Sequence, residues 1–154
     1  MTGSPAHDAA SDAPSDAAGR VWTGMRLLVL ERHDRRREVV EATGLSFIRV
    51  KALRRIAGGP LSMRELAAGL STDKPYTTLV VDDLERRGLI ERTVHPTDRR
   101  QRMLAATAQG LRVARTAREI LDNPPDFLRN LPPADLAALD RVITALVDAD
   151  HAAE

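Results

Sequence analysis

Ser62–Thr107 reads SMRELAAGLSTDKPYTTLVVDDLERRGLIERTVHPTDRRQRMLAAT, and three patterns follow one another in it. Ser62 with Glu65 three residues later spells a capping box, and Leu66, Ala67 and Leu70 continue it as one apolar stripe, which predicts a short helix. Gly69–Thr72 forms the turn. Asp73 then caps a second helix that carries Pro75 in its first turn, where a missing N–H costs little. Along it Thr77, Val80, Val81 and Leu84 recur at helical spacing and face a core, leaving Lys74, Tyr76, Thr78, Leu79 and Asp82 outward. Gly88 stops the helix, and Leu89–Val94 and Arg102–Ala106 pair as strands around the polar loop 95–101.

Two helices joined by a tight turn and followed by a basic hairpin spell a winged helix-turn-helix, whose second helix enters the DNA major groove while the wing reaches the backbone or minor groove. Each signal alone also occurs in domains that never touch nucleic acid. Their order is what carries the reading.

The same stretch resembles the MarR family of transcriptional regulators, over Met25 to Leu121 and most closely over Leu66–Thr107. The family's G-L-I-x-R pattern stands as Leu84, Gly88, Leu89, Ile90 and Arg92, and its wing pattern as Asp98, Arg100, Ala106 and Thr107, with Ala106 in place of the usual Leu. Gly44-Leu45-Ser46 with Phe47, Val50, Leu53 and Ile56 is similar to the helix that precedes the motif. Leu79 departs from the polar or basic residue common at that position. The resemblance implies a homodimer built from both termini, a short third strand at Leu61, and double-stranded DNA as partner.

Length and composition fit this reading. A chain of 154 residues with 43% hydrophobic but only 3% aromatic residues must build its core from Leu, Val, Ile and Ala, a mixture that favours helices. The expected class is mainly α: a winged helix-turn-helix with a two- or three-stranded wing and N- and C-terminal dimerisation helices. No apolar run reaches membrane-span length and no signal-peptide order opens the chain, so a cytoplasmic protein without membrane contact is expected. The absence of cysteine excludes disulfides and thiol redox sensing. The net charge of +1 hides a division: residues 1–19 hold three Asp and no basic side chain, residues 20–106 sum to +7, and residues 107–154 carry five Arg against eight acids. Basic charge gathers around the motif.

Residues 1–19 are Ala, Ser, Asp, Pro and Gly with almost no large apolar side chain, the composition of a disordered tail. Residues 20–154 follow as one domain: 20–43 and 107–150 as dimerisation helices, 46–106 as the DNA-binding unit. Arg20–Thr43 reads as one long helix with Val21, Trp22, Met25, Leu28 and Val29 on one face. Its second half, Glu31 to Glu38, is nearly all charged, with Asp34 and Glu38 placed for ion pairs; a solvated face is preferred to a DNA contact there. Ser46 caps Phe47–Ala57, and Gly58-Gly59-Pro60 breaks it. Thr107 caps a helix to about Asp122, Asn123-Pro124-Pro125 interrupts it, and Ala134–Ala149 closes the chain with Leu136, Leu139, Ile143 and Leu146 in a stripe that something must cover.

No catalytic set, phosphate loop or metal spacing stands out; the histidines at 7, 33, 95 and 151 are scattered. No enzyme, cofactor or metal is expected. Two classes remain, a DNA-binding regulator and a protein-interaction module on the same scaffold. A wing carrying Arg99, Arg100 and Arg102 suits phosphates better than a protein interface. On the first reading Lys74, Pro75, Tyr76 and Thr78 meet base edges and phosphates, Leu79 meets a thymine methyl, and Asp98 holds Arg100 while Arg99 or Arg100 enters the minor groove. The resemblance further implies a small aromatic effector in a crevice drawing on Trp22, Met25, Val29, Phe47 and Leu111, with His33 or Arg54 as partners for an acidic group. The apolar members of that set also fit a plain core.

Overall fold

The computed structural model describes residues 13–95, 97–98 and 102–153. Their contacts fall into two units, Met1–Leu121 and Asp122–Glu154, where the sequence pattern expects one domain over 20–154. The division comes just before Asn123-Pro124-Pro125, where proline cannot donate to the helical ladder and bars the α region to the residue before it.

The first unit opens with α1 (Ala13–Arg26), a π-helical segment (Leu27–Arg32) and α2 (Arg36–Thr43). This differs from the expected Arg20–Thr43 helix at both ends of its first half. Residues 13–19, expected in a disordered tail, are helical; residues 1–12 of that tail lie outside the described residues. Asp16 sits in the first turn, where a carboxylate suits the helix dipole, and pairs with Arg20 one turn on. The break after Arg32 has a local cause. The His33 N–H donates to the Leu28 carbonyl (3.0 Å), closing the wider π turn, and the Asp34 carboxylate accepts the backbone N–H of Arg36 (2.9 Å), so α2 starts afresh. Asp34 and Glu38 do form ion pairs, with Arg36 and Arg35.

Helix α3 (Phe47–Ala57) buries Val50, Ala52, Leu53 and Ile56. Ser46 precedes it in extended conformation, but its hydroxyl accepts from the Arg49 guanidinium (2.8 Å) instead of from the helix backbone. After β1 (Leu61–Ser62) come α4 (Met63–Leu70), α5 (Lys74–Arg86), β2 (Ile90–Val94), β3 (Arg102–Ala106) and α6 (Ala108–Leu121). The sheet is antiparallel in the order β1-β3-β2, with Leu61 and Arg92 on either side of Leu104, so the wing is three-stranded. Leu53, Ile56, Leu66, Val81, Leu84, Ile90 and Leu104 are almost wholly buried, and α6 closes the core against α2 and α3. Apolar surface of this kind contributes about 25 cal/mol per Å² removed from water, which is what sets α4, α5 and the wing in fixed relation.

The second unit holds α7 (Asp126–Arg129) and α8 (Pro133–Ala153). Arg129 reaches back to the turn, donating to the Pro124 carbonyl (3.0 Å) and to the Asn123 side chain. Helix α8 leaves Leu136, Leu139, Val142, Ile143, Leu146 and Val147 more than a third exposed. Among the described residues no helix is long and apolar enough to cross a membrane.

Candidate nucleic-acid interface

The helix-turn-helix is assembled by local chemistry that the sequence spells out. The Ser62 hydroxyl accepts the Glu65 N–H (3.2 Å) while the Glu65 carboxylate accepts the Ser62 N–H and hydroxyl (2.7 Å each), completing the capping box of α4. Those two bonds hold the Glu65 carboxyl below its ordinary range. Ser71 takes φ 52°, and the N–H groups of Ser71 and Thr72 return to the carbonyls of Ala68 and Ala67, ending the helix without a glycine. Hydroxyls of Thr72 and Thr77 then meet at 2.9 Å across the turn, and the Asp73 carboxylate caps α5 by accepting the Tyr76 N–H (2.8 Å).

Helix α5 presents two faces. Thr77, Val80, Val81 and Leu84 are buried as expected. Lys74, Pro75, Tyr76 and Leu79 face solvent, Tyr76 at 45% and Leu79 at 64% exposure; Thr78 is half-buried and donates its hydroxyl to the Lys74 carbonyl (2.9 Å), which leaves its oxygen as an acceptor. The first two turns therefore offer an ammonium, a phenol, a hydroxyl oxygen and an apolar contact on one surface. These are the group types that base edges, thymine methyls and phosphates accept.

Past Leu79 the helix changes character. Asp82 is exposed, yet its carboxylate is taken by Arg92 of β2 (2.6 Å), which also pairs with Glu85, so the wing is pinned to α5 and the acid's charge is offset. Asp83 is only 6% exposed and receives three guanidinium groups: Arg49 of α3 (2.6 Å), Arg87 (2.8 Å) and Arg86. Burial opposes ionisation there, but the donated bonds of Arg87 and Arg49 outweigh it and hold the Asp83 carboxyl below the ordinary range. Gly88 follows at φ 70°, with Gly88 and Leu89 N–H groups returning to Glu85 and Leu84. The next helix is fastened onto this turn. The Thr107 hydroxyl donates to the Gly88 carbonyl (2.7 Å) and accepts the Gly110 N–H (3.1 Å), and a Cβ at position 110 would overlap the Leu89 carbonyl.

In the wing, His95 turns its Nδ1 back as acceptor for the N–H groups of Thr97 and Asp98 (3.2 Å each), shaping the loop after β2. Asp98 is half-buried and Arg102 exposed at the start of β3. Arg99 and Arg100, and with them the expected Asp98–Arg100 clamp, lie outside the described residues.

Sequence reasoning missed Asp83, His95 and Gly110. Arg86 and Arg87 at i+3 and i+4 are a readable sign for Asp83, but Arg49 lies 34 positions away. A glycine inside an apolar helical pattern is a sign of close approach at Gly110. His95 carries no such sign.

The residues expected to line an effector crevice are dispersed over α1 (Trp22, Met25), the π segment (Val29), the break after it (His33), α3 (Phe47, Arg54) and α6 (Leu111). Trp22 at 68%, Val29 at 62% and Leu111 at 45% are exposed, while Met25, His33, Phe47 and Arg54 are half-buried. Two clefts lie beside α4: one of about 420 Å³ lined by Ser62, Arg64, Glu65, Ala68, His95 and Met103, the other of about 380 Å³ by Met63, Arg64, Ala67 and Lys74. Neither draws on the seven crevice residues. Among the described residues no three His, Asp or Glu side chains gather as a metal site.

Capped helices at a tight turn, an outward recognition face and a three-stranded wing define a winged helix-turn-helix. Residues 43–101 match the sequence model of the MarR family. A protein of Thauera aromatica proposed as transcriptional regulatory protein for the hcr operon is 34% identical over 97 residues, which cover 62% of this chain and 58% of that relative. The structure of RV1404 from Mycobacterium tuberculosis superposes with a TM-score of 0.73 at 26% identity, over 92% of this chain and 97% of that one. CouR of Rhodococcus jostii RHA1, solved with p-coumaroyl-CoA, gives 0.62 at 26% identity over 88% and 95%; MarR of E. coli shares the fold at 20% identity, with 0.66 over 83% and 95%. The chain is thus similar to the MarR family over residues 43–101 and has the winged helix-turn-helix fold of these solved structures.

Proposed function

We propose that the protein is a sequence-specific DNA-binding transcriptional regulator acting as a homodimer on a near-palindromic operator, as a repressor in the cytoplasm. The observation that carries this reading is the first half of α5: Lys74, Pro75, Tyr76 and Leu79 face solvent from a helix whose opposite face is sealed in the core. Lys74, Tyr76 and Thr78 would meet base edges and phosphates, Leu79 a thymine methyl, and Asp98, Arg99, Arg100 and Arg102 the wing's share of the duplex. Selection of bound duplexes from a random pool tests it. A recovered palindrome with half-sites about one helical turn apart is expected, together with affinity that falls steeply as salt rises. Recovery of no preferred sequence would overturn the reading in favour of a protein-interaction module.

Dimerisation is supported by apolar surface on both terminal segments. Val21, Trp22 and Val29 near the N-terminus and Leu136, Ile143 and Leu146 on α8 are exposed in the single chain. Isolated apolar side chains on a surface are ordinary, whereas a repeated stripe on a helix marks a contact. Removing the chain after Asn123 is expected to give a monomer or aggregate that no longer binds a palindrome; a truncated chain that sediments as a stable dimer would refute this.

A small aromatic effector, bound reversibly since no cysteine exists to sense oxidation, is proposed for a crevice drawing on Trp22, Met25, Val29, His33, Phe47, Arg54 and Leu111. The aromatic thioester carried by CouR supports the chemical class. Linkage requires that DNA and effector weaken each other equally. Calorimetric titration of salicylate-like acids with and without operator reads this, and equal affinity in both would overturn the switch.

A further inference from the structure

We infer that Arg64 binds a DNA phosphate between the positions met by the recognition helix and by the wing. This deepens the DNA-binding reading and rests on it.

Arg64 is the second residue of α4, exposed, and it lines both clefts beside that helix. One cleft joins it to Lys74 at the start of α5, the other to His95 in the loop after β2 and Met103 of β3. Its side chain thus stands between the two elements that the fold turns toward DNA.

Charge accounting separates this arginine from its neighbours. Arg49, Arg86 and Arg87 are committed to Asp83, Arg92 to Asp82 and Glu85, and the Arg55 guanidinium lies over the backbone of Gly69. Among the described residues of the helix-turn-helix and wing, 62–106, Arg64, Lys74 and Arg102 are the basic side chains that pair with no carboxylate. Glu65 is the acid beside Arg64, and its carboxylate is turned onto the Ser62 amide and hydroxyl, where it serves the N-terminus of α4. A guanidinium without an internal partner, in an open cleft of about 420 Å³, has its planar donors free for two oxygens of one phosphate. Displacing condensed counterions from that phosphate then adds to affinity without regard to sequence. In the sequence Arg64 is only an interior letter of a capping box, so the pattern gives it no role.

The test measures the full-length protein on two probes, a random-sequence duplex of about 30 base pairs, long enough for two half-sites, and the duplex recovered by selection. Arg64→Ala is expected to weaken both by the same factor and to lower the slope of log affinity against log salt by about 0.9 per half-site contact. Arg64→Lys keeps the charge and is expected to keep the slope. Equal thermal midpoints for the variants and the parent would place the effect at the DNA surface. An unchanged slope in Arg64→Ala overturns the inference while leaving the DNA-binding reading intact, and so does a loss confined to the selected duplex, which makes Arg64 a base reader. Absence of salt-dependent binding in the parent overturns both.

Discussion

The two halves of α5 differ in what their side chains are for. Among the described residues the outward side chains from Lys74 to Leu79 make no ion pair or hydrogen bond to another element; the Thr78 hydroxyl bonds within its own turn. From Asp82 to Arg87 the charged groups are engaged with α3, with β2 or with one another, and the turn that follows is bonded to Thr107, just before α6. One end is left open for something outside the molecule; the other fixes the angle at which it is presented. A helix that reads DNA needs both, because a group misplaced by an ångström loses most of a hydrogen bond.

Substitution at the anchored end is expected to damage stability and at the open end to damage binding. The largest effect is expected for Gly110→Ala. A methyl group there overlaps the Leu89 carbonyl, and backbone has little room to give, so a loss of about 1–3 kcal/mol or more in urea unfolding is expected. Unfolding indistinguishable from the parent would show that the joint is loose.

Lys74→Ala and Tyr76→Ala should reverse the pattern. Each is expected to cost roughly 1–3 kcal/mol in affinity for the selected duplex, in a sequence-dependent way, and to leave the unfolding midpoint within the error of the parent. A drop in stability matching the drop in affinity would erase the distinction between the two ends.

Asp83→Asn gives the finest test, because it carries a pH signature. The Asp83 carboxyl titrates below its ordinary value of 3.8 in the folded chain, so the stability it contributes is fully present above that value and is lost as pH falls through the lower, folded one. The variant should therefore be less stable than the parent at neutral pH, and the two should converge below pH 3.8. Curves that stay parallel into acid would show that the three arginines hold the helix without needing the charge.

Much of this organisation is legible in the sequence because it is local. The capping box of Ser62 and Glu65, the Asp73 cap, the Gly88 stop and the strand pair each close within a few residues, and each forms as the pattern predicts. Leu61 enters the sheet as the resemblance implies. The misreadings are of two kinds. Asp34 looks like one more member of a helical ion-pair run, but a carboxylate two residues before a free N–H competes with the helix it sits in, and here it wins. Ser46 loses its backbone role to Arg49, a side chain one turn on. The other kind is distance in sequence: Arg49 with Asp83, and Gly110 with Leu89, meet only after the chain has folded, and periodicity within one helix cannot see them. The same limit holds for Arg64, whose place between helix and wing is set by three separate elements.

The fastening of Gly110 to the turn after α5 makes α6 a lever. Its 14 residues span roughly 21 Å at the rise of an α-helix, and its short arm ends against the Leu89 carbonyl with no slack for a methyl group. A tilt of about 5° about that point would move the far end at Leu121, roughly 16 Å away, by about 1.4 Å. Run in reverse, a push of that size at Leu121 would arrive at Gly88 and Leu89 as rotation, geared down about fivefold in displacement. Small and stiff, and set beyond the anchored end of α5, the joint would turn a coarse movement at one end of α6 into a fine adjustment of the angle of α5.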